Sequence, residues 1–179
     1  MNIPNFLTLL RILLVPVTVI FLMQGAFTKA LIVLIVSGIT DALDGFLARI
    51  LNQQTVLGAY LDPIADKALL ASCFVTLSIK GIIPGWFTVI VISRDLIILI
   101  GIAIMSIMSI PYKISPSFIS KITTALQLLV LAFFLIFRIY PGLINYIWLL
   151  IIQWLTVLFT VISGLDYMIR GVRLNSTLP

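Results

Sequence analysis

The sequence predicts an all-α, polytopic integral membrane protein with six transmembrane helices and a short N-terminal interfacial segment. Of the 179 residues, 62% are hydrophobic and only 9% are charged, and the mean hydropathy is +1.28. A soluble domain of this length does not need so much apolar surface. Polar or Gly- and Pro-containing breaks divide the apolar sequence into segments long enough to cross a bilayer. We expect residues 1–179 to form one transmembrane domain.

The breaks define six predicted spans, each close to the roughly 20 residues that a bilayer requires. Residues 2–10 contain Pro4 and Asn5 and predict the interfacial segment. The spans cover about 11–25, 30–51, 57–79, 86–108, 118–137 and 144–165. A polar tail, residues 166–179, follows the last span. An even number of spans places both termini on one side of the membrane.

The basic residues predict that both termini face the cytoplasm. Six basic residues then lie at or near the cytoplasmic side, namely Arg11, Arg49, Lys113, Lys121, Arg170 and Arg173, against Lys29, Lys80 and Arg138 on the other side. This bias follows the positive-inside rule and indicates the inner, cytoplasmic membrane. The basic residues are scattered singly, so the net charge of +5 indicates anionic membrane lipids as partners. We expect no nucleic acid.

Four of the six acidic residues lie between Asp41 and Asp66, in an otherwise apolar chain. Asp41 and Asp44 are three residues apart, and Asp62 and Asp66 are four apart, so each pair shares one face of a predicted helix. Four unpaired Asp side chains facing lipid would cost about 10 kcal/mol. Only Arg49 and Lys67 lie near them in sequence, too few to neutralise four carboxylates. We therefore expect the carboxylates to line a polar cavity that holds cations.

The donor atoms indicate which cations these are. Carboxylate oxygens suit Mg²⁺ or Mn²⁺, whereas a chain with no His and one Cys does not suit zinc. Two such ions about 3.5–4 Å apart stabilise the attacking and leaving oxygens of a phosphoryl transfer. Arg49 could bind a phosphate oxygen, and Asp66, one turn beyond Asp62, could serve as general base for an acceptor hydroxyl. The small residues nearby allow a ligand to approach the backbone.

The full pattern runs from position 41 to position 66 as Asp-x2-Asp-Gly-x2-Ala-Arg-x8-Gly-x3-Asp-x3-Asp. It resembles the signature of the CDP-alcohol phosphotransferase family of integral membrane enzymes. The resemblance implies that the metal ions are bound by Asp41, Asp44, Asp62 and Asp66, with Asp66 also the catalytic base. It implies that the CDP group contacts Asp44, Gly45, Ala48, Arg49, Gly58 and Asp62. It also implies a cytoplasm-facing cavity and a homodimer.

Other segments bear on the acceptor alcohol. The stretches NIPNFLTLLR, LNQQTVLGAYLDPIADK and ISGLDYMIRG resemble bacterial phosphatidylglycerophosphate synthases, which implies transfer of a phosphatidyl group from CDP-diacylglycerol to glycerol 3-phosphate. The stretches ISRDLIILIG and FISKITTALQLL instead resemble the cardiolipin synthases of the same family, which use phosphatidylglycerol. Arg94 and Lys121, with Lys113 nearby, are the candidates that would bind the acceptor. We expect glycerol 3-phosphate as the acceptor, with phosphatidylglycerol as the alternative.

Two further expectations concern charge. Adjacent residues on a helix point about 100° apart, so we expect Arg94 and Asp95 not to face each other. A divalent-cation transporter is the alternative class of function for an acidic cluster in a membrane. Transporters place their ion sites near the midplane between repeats, and no repeat is visible in this sequence.

Overall fold

The computed structural model describes the backbone of residues 3–50, 56–107 and 118–175, and the side chains of residues 9–40, 65–101 and 118–169. Every regular element in these ranges is an α-helix. The helices are α1 (Ile3–Met23), α2 (Phe27–Ile50), α3 (Val56–Ile79), α4 (Gly85–Ile107), α5 (Phe118–Ile139) and α6 (Tyr146–Asn175). The prediction of an all-α protein is therefore confirmed.

The first and last helices differ from the predicted spans. Helix α1 begins at Ile3, so the segment that we expected to lie at the interface forms the first turns of the same helix. Helix α6 continues to Asn175, through most of the expected polar tail. Hydropathy marks where a helix leaves the apolar phase, whereas the backbone hydrogen bonds can continue into water. Helices α1 and α6 therefore extend beyond the predicted spans, and the interfacial position of residues 2–10 stays a prediction.

Glycine ends two of the helices in the same way. After α1, the N–H of Ala26 donates to the carbonyl of Phe21 at 2.9 Å, and Gly25 has φ of 75°. After α3, the N–H of Ile82 donates to the carbonyl of Leu77 at 2.9 Å, and Gly81 has φ of 68°. This is the Schellman arrangement, which satisfies carbonyls at a helix end and favours Gly in the left-handed conformation.

The helices group into two compact units. The first consists of Met1–Ile83 and Leu131–Ile144. In it, α1 packs against both α2 and α3. Its buried apolar side chains include Leu22 on α1, Leu34 on α2, and Leu69, Phe74 and Leu77 on α3. Helix α1 thus forms the centre of the packing in this unit.

The second unit consists of Pro84–Val130 and Asn145–Pro179. In it, α4 packs against α6. Polar residues are buried beside apolar ones here, namely Thr88, Thr123, Gln127, Gln153, Thr156, Thr160 and Ser163. The hydroxyl of Thr156 donates to the carbonyl of Ile152 at 2.7 Å, and the hydroxyl of Thr123 lies 3.1 Å from the carbonyl of Phe159. Bonds to backbone carbonyls allow hydroxyl groups to be buried at low cost.

Two helical stretches among the described residues are long and apolar enough to cross a membrane, Phe118–Ile139 and Tyr146–Ile169. They contain 22 and 24 residues. They correspond to the fifth and sixth predicted spans. Their length and composition support the prediction of a membrane protein.

Replacing Gly81 by Ala should lower the free energy of unfolding by about 1–2 kcal/mol. The cost arises in the backbone, because Gly81 has φ of 68° and an added Cβ meets no described atom within 4 Å. Gly38 is the matched control. An added Cβ there also meets no described atom within 4 Å, but Gly38 lies inside α2. Gly38→Ala should raise stability by about 0.5–1 kcal/mol. Denaturant unfolding in detergent measures both, and equal effects would contradict the argument.

Candidate active site

The eight residues of the acidic pattern lie on two successive helices. Helix α2 carries Asp41, Asp44, Gly45, Ala48 and Arg49 in its C-terminal half, and α3 carries Gly58, Asp62 and Asp66 in its N-terminal half. Of their side chains, only that of Asp66 belongs to the described residues, and Lys113 lies outside them altogether. The convergence of the four carboxylates on metal ions therefore stays a prediction.

Asp66 forms an ion pair with Arg11, which joins α3 to α1. The NH1 group of Arg11 donates to Oδ1 of Asp66. The side chain of Arg11 is 1% exposed, whereas that of Asp66 is 32% exposed. The cation is thus buried and its partner reaches partly to the surface.

Arg11 was missed as a site residue by the sequence analysis, which counted it only as a charge on the cytoplasmic side. A signal for it was present in the sequence. Helix α1 contains Arg11 and no acidic residue. A cation inside an apolar helix requires a partner, and here that partner had to come from another helix. The partner could not be identified without knowing which helices pack together.

Arg94 on α4 lies at the centre of a second polar cluster. Its NH1 group donates to Oδ1 of Asp95 at 2.7 Å. Its NH2 group donates to Oγ of Ser120 on α5 at 2.7 Å and to Oγ of Ser163 on α6 at 2.6 Å. The side chain of Arg94 is 5% exposed. One guanidinium therefore connects three helices.

The expectation that Arg94 and Asp95 do not face each other is wrong. The separation of about 100° applies to the Cα–Cβ directions of neighbouring helical residues. The arginine side chain is long enough to bend back, and NH1 reaches the neighbouring carboxylate. Burial of the guanidinium favours this local pairing, because an unpaired charge there would be costly.

One donor of the Arg94 cluster has no acceptor in the part of the chain whose side chains the structure describes. The Nε atom of Arg94 is buried and makes no hydrogen bond to any described residue. The stem of Arg94 lies beside Gly164, where an added Cβ would be 3.6 Å from Cγ of the arginine. Lys121, the other described candidate for acceptor binding, is exposed near the start of α5. The cluster thus offers one spare donor on a cation whose charge Asp95 balances.

Comparison with known proteins identifies the class. The sequence model of a family described as CDP-alcohol phosphatidyltransferase matches residues 1–162. The chain belongs to this family, whose members are enzymes associated with membranes. It is therefore an enzyme, and the transporter alternative is set aside.

Individual relatives fall into two groups. A probable phosphatidylglycerophosphate synthase of Mycobacterium tuberculosis is 34% identical over 179 residues, covering 96% of this chain and 82% of the relative. The CDP-diacylglycerol–glycerol-3-phosphate 3-phosphatidyltransferase of Bacillus subtilis is 28% identical, covering 93% of both chains. The human cardiolipin synthase (CMP-forming) is 36% identical over 147 residues, covering 73% of this chain and 49% of the relative.

Replacing Arg11 by Gln should lower the free energy of unfolding by about 3 kcal/mol, because Asp66 loses its counter-charge. We take the lower end of the range for a broken ion pair, since Asp66 is partly exposed. Arg11→Lys is the control, because it keeps the charge, and its effect should be smaller. Denaturant unfolding in detergent measures both variants. Unchanged stability in Arg11→Gln would show that the pair does not support the fold.

Replacing Ser163 by Ala should cost about 1.5 kcal/mol, since it removes an acceptor from a buried guanidinium. Thr156→Val is the matched control on the same helix, because the hydroxyl of Thr156 donates to the carbonyl of Ile152 within α6. Thr156→Val should lower the stability much less than Ser163→Ala does. The thermal unfolding midpoints of the two variants check this, and a lower midpoint for Thr156→Val than for Ser163→Ala would contradict the role of Ser163.

Proposed function

We propose that the chain transfers a phosphatidyl group from CDP-diacylglycerol to the hydroxyl of glycerol 3-phosphate, forming phosphatidylglycerophosphate and CMP. The observation that carries the proposal is the eight-residue pattern from position 41 to 66, on two successive helices. The choice of acceptor is supported by relatives named for this reaction, one of which aligns over 96% of the chain. The segments matched include both α2 and α3.

In the proposed reaction, the acceptor hydroxyl oxygen attacks the phosphorus that carries diacylglycerol. The bond between that phosphorus and the oxygen of CMP breaks, and CMP leaves. Asp66 accepts the hydroxyl proton as the general base. Arg11 holds the Asp66 carboxylate from α1. Arg49 and the small residues Gly45, Ala48 and Gly58 bind the CDP group, together with Asp44 and Asp62.

The donor set fits divalent metal ions. Asp41, Asp44, Asp62 and Asp66 are all carboxylates, which are the ligands that Mg²⁺ and Mn²⁺ prefer. We propose that these four residues hold two such ions. When bound, the ions would neutralise the diphosphate and polarise its phosphorus–oxygen bonds.

We propose that the acceptor phosphate binds beside Arg94. The buried Nε–H of Arg94 has no partner among the described residues and would donate to a phosphate oxygen. Lys121 and Lys113 would add positive charge. Ser120 and Ser163 hold the guanidinium in place, each accepting a hydrogen bond from NH2.

A cardiolipin synthase that uses phosphatidylglycerol is the second candidate. One observation favours it, since Asp95 balances the charge of Arg94 at 2.7 Å. A neutralised guanidinium suits the single negative charge of a phosphodiester better than the double charge of a phosphomonoester. The human cardiolipin synthase that is 36% identical over the aligned region supports the same alternative.

We propose that all six helices span the inner membrane as a single domain, with both termini and the active site toward the cytoplasm. The helices contain between 21 and 30 residues each, enough for the roughly 20 that a bilayer needs. We also propose a homodimer, on the strength of the family resemblance.

Purified protein with CDP-diacylglycerol and Mg²⁺ should release CMP when glycerol 3-phosphate is added. Asp66→Asn should reduce the rate by at least about 100-fold, because the acceptor proton loses its base. Asp166→Asn is the control, since Asp166 lies on α6 outside the acidic pattern. Its rate should stay within about twofold of wild type.

The acceptor decides between the two candidates. Release of CMP with phosphatidylglycerol alone would replace the proposed acceptor by the alternative. Release with neither acceptor would refute both assignments. Full activity of Asp66→Asn would refute the role of this carboxylate, whichever acceptor is used.

A further inference from the structure

A cavity of about 410 Å³ lies in the first unit, where α2 begins and α5 ends. Residues 25–29 line it together with Arg138 and Ile139. Its volume is within the range of about 300–1,000 Å³ that is usual for small-ligand sites. Asp41 lies 12 positions beyond Lys29 on α2, or about 18 Å along the helix axis. The cavity is therefore separate from the acidic segment.

Two cations flank this cavity. The Nζ atom of Lys29 lies 5.8 Å from the ring centroid of Phe21, and the Cζ atom of Arg138 lies 6.0 Å from that of Phe27. These distances suit cation–π contacts, which hold both cations near the cavity. None of the lining residues is acidic. The two charges repel each other across the cavity, and a bound anion would remove that repulsion.

The start of α2 adds donors to the same cavity. The first backbone hydrogen bond of the helix is donated by the N–H of Ala30 to the carbonyl of Ala26, at 3.1 Å. The N–H groups of residues 27–29 precede it, so they have no acceptor within the helix. Ala26 occupies the capping position and has no side-chain oxygen, and the first turn contains no acidic residue. An anion would complete this helix end.

We propose that this cavity binds a phosphate group, supplied either by the headgroup of an anionic phospholipid or by free phosphate. Arg138 would contact the phosphate through its planar fork and Lys29 as a point charge. The amides at the start of α2 would donate to a phosphate oxygen. The proposal does not depend on the proposed reaction, since none of its residues belongs to the acidic pattern or to the Arg94 cluster.

The test uses the full chain in detergent micelles and two probes. The first probe is phosphatidic acid, which is neither donor nor acceptor of the proposed reaction. Its binding is measured by titration in native mass spectrometry, with phosphatidylcholine as the comparison lipid. The second probe is inorganic phosphate, whose binding is measured by line broadening in ³¹P NMR. The double variant Lys29→Gln/Arg138→Gln should bind the responding probe about 25-fold more weakly, from about fivefold for each cation. The single variants should each show about fivefold weaker binding.

Lys80→Gln is the matched control. Lys80 follows the end of α3 and is exposed like Lys29, but it does not line the cavity. It should bind like wild type. A response to phosphatidic acid alone identifies a lipid headgroup site, and a response to both probes identifies a site for phosphate from either source. The proposal is overturned if wild type binds neither probe, if the double variant binds as well as wild type, or if Lys80→Gln loses as much affinity.

Discussion

Arg11 and Asp66 join α1 to α3 through an ion pair in the unit where α1 packs against both neighbouring helices. A buried guanidinium without a counter-charge would cost several kcal/mol. The pairing therefore restricts how α1 lies against α3, since a shift of one helix would separate the charges. It also fixes the position of Asp66. The same contact serves the packing of the unit and the placement of the proposed base.

Arg94 is neutralised in a different way. Its counter-charge is its own neighbour Asp95, so this pair places no restriction on packing between helices. The contacts that do join helices are hydrogen bonds to the neutral hydroxyls of Ser120 and Ser163. Neutral acceptors orient the guanidinium without adding charge. Such a cluster can exchange a partner for a ligand oxygen more readily than a cross-helix ion pair can.

The sequence predicted those features that depend on one segment at a time. The helices followed from apolar length and from Gly and Pro at the breaks, and the residues of the acidic pattern followed from their spacing. The full lengths of α1 and α6 were not predicted, because hydropathy reports depth in the bilayer and not backbone hydrogen bonding. Arg11, Ser120 and Ser163 were missed because their roles depend on which helices pack together. The Arg94–Asp95 pair was missed because Cβ directions do not describe a long side chain.

The first turn of helix α2 carries a charge that opposes the helix dipole. A helix favours negative charge near its N-terminus and positive charge near its C-terminus. Here Lys29 lies in the first turn and opposes the dipole, whereas Arg49 lies in the last turn and suits it. Natural sequences depart from local rules of this kind mainly at functional sites, where a ligand supplies what the chain lacks. Asp41 and Asp44 would be balanced by divalent cations, and the basic first turn by a phosphate group. One helix would then carry two sites of opposite charge.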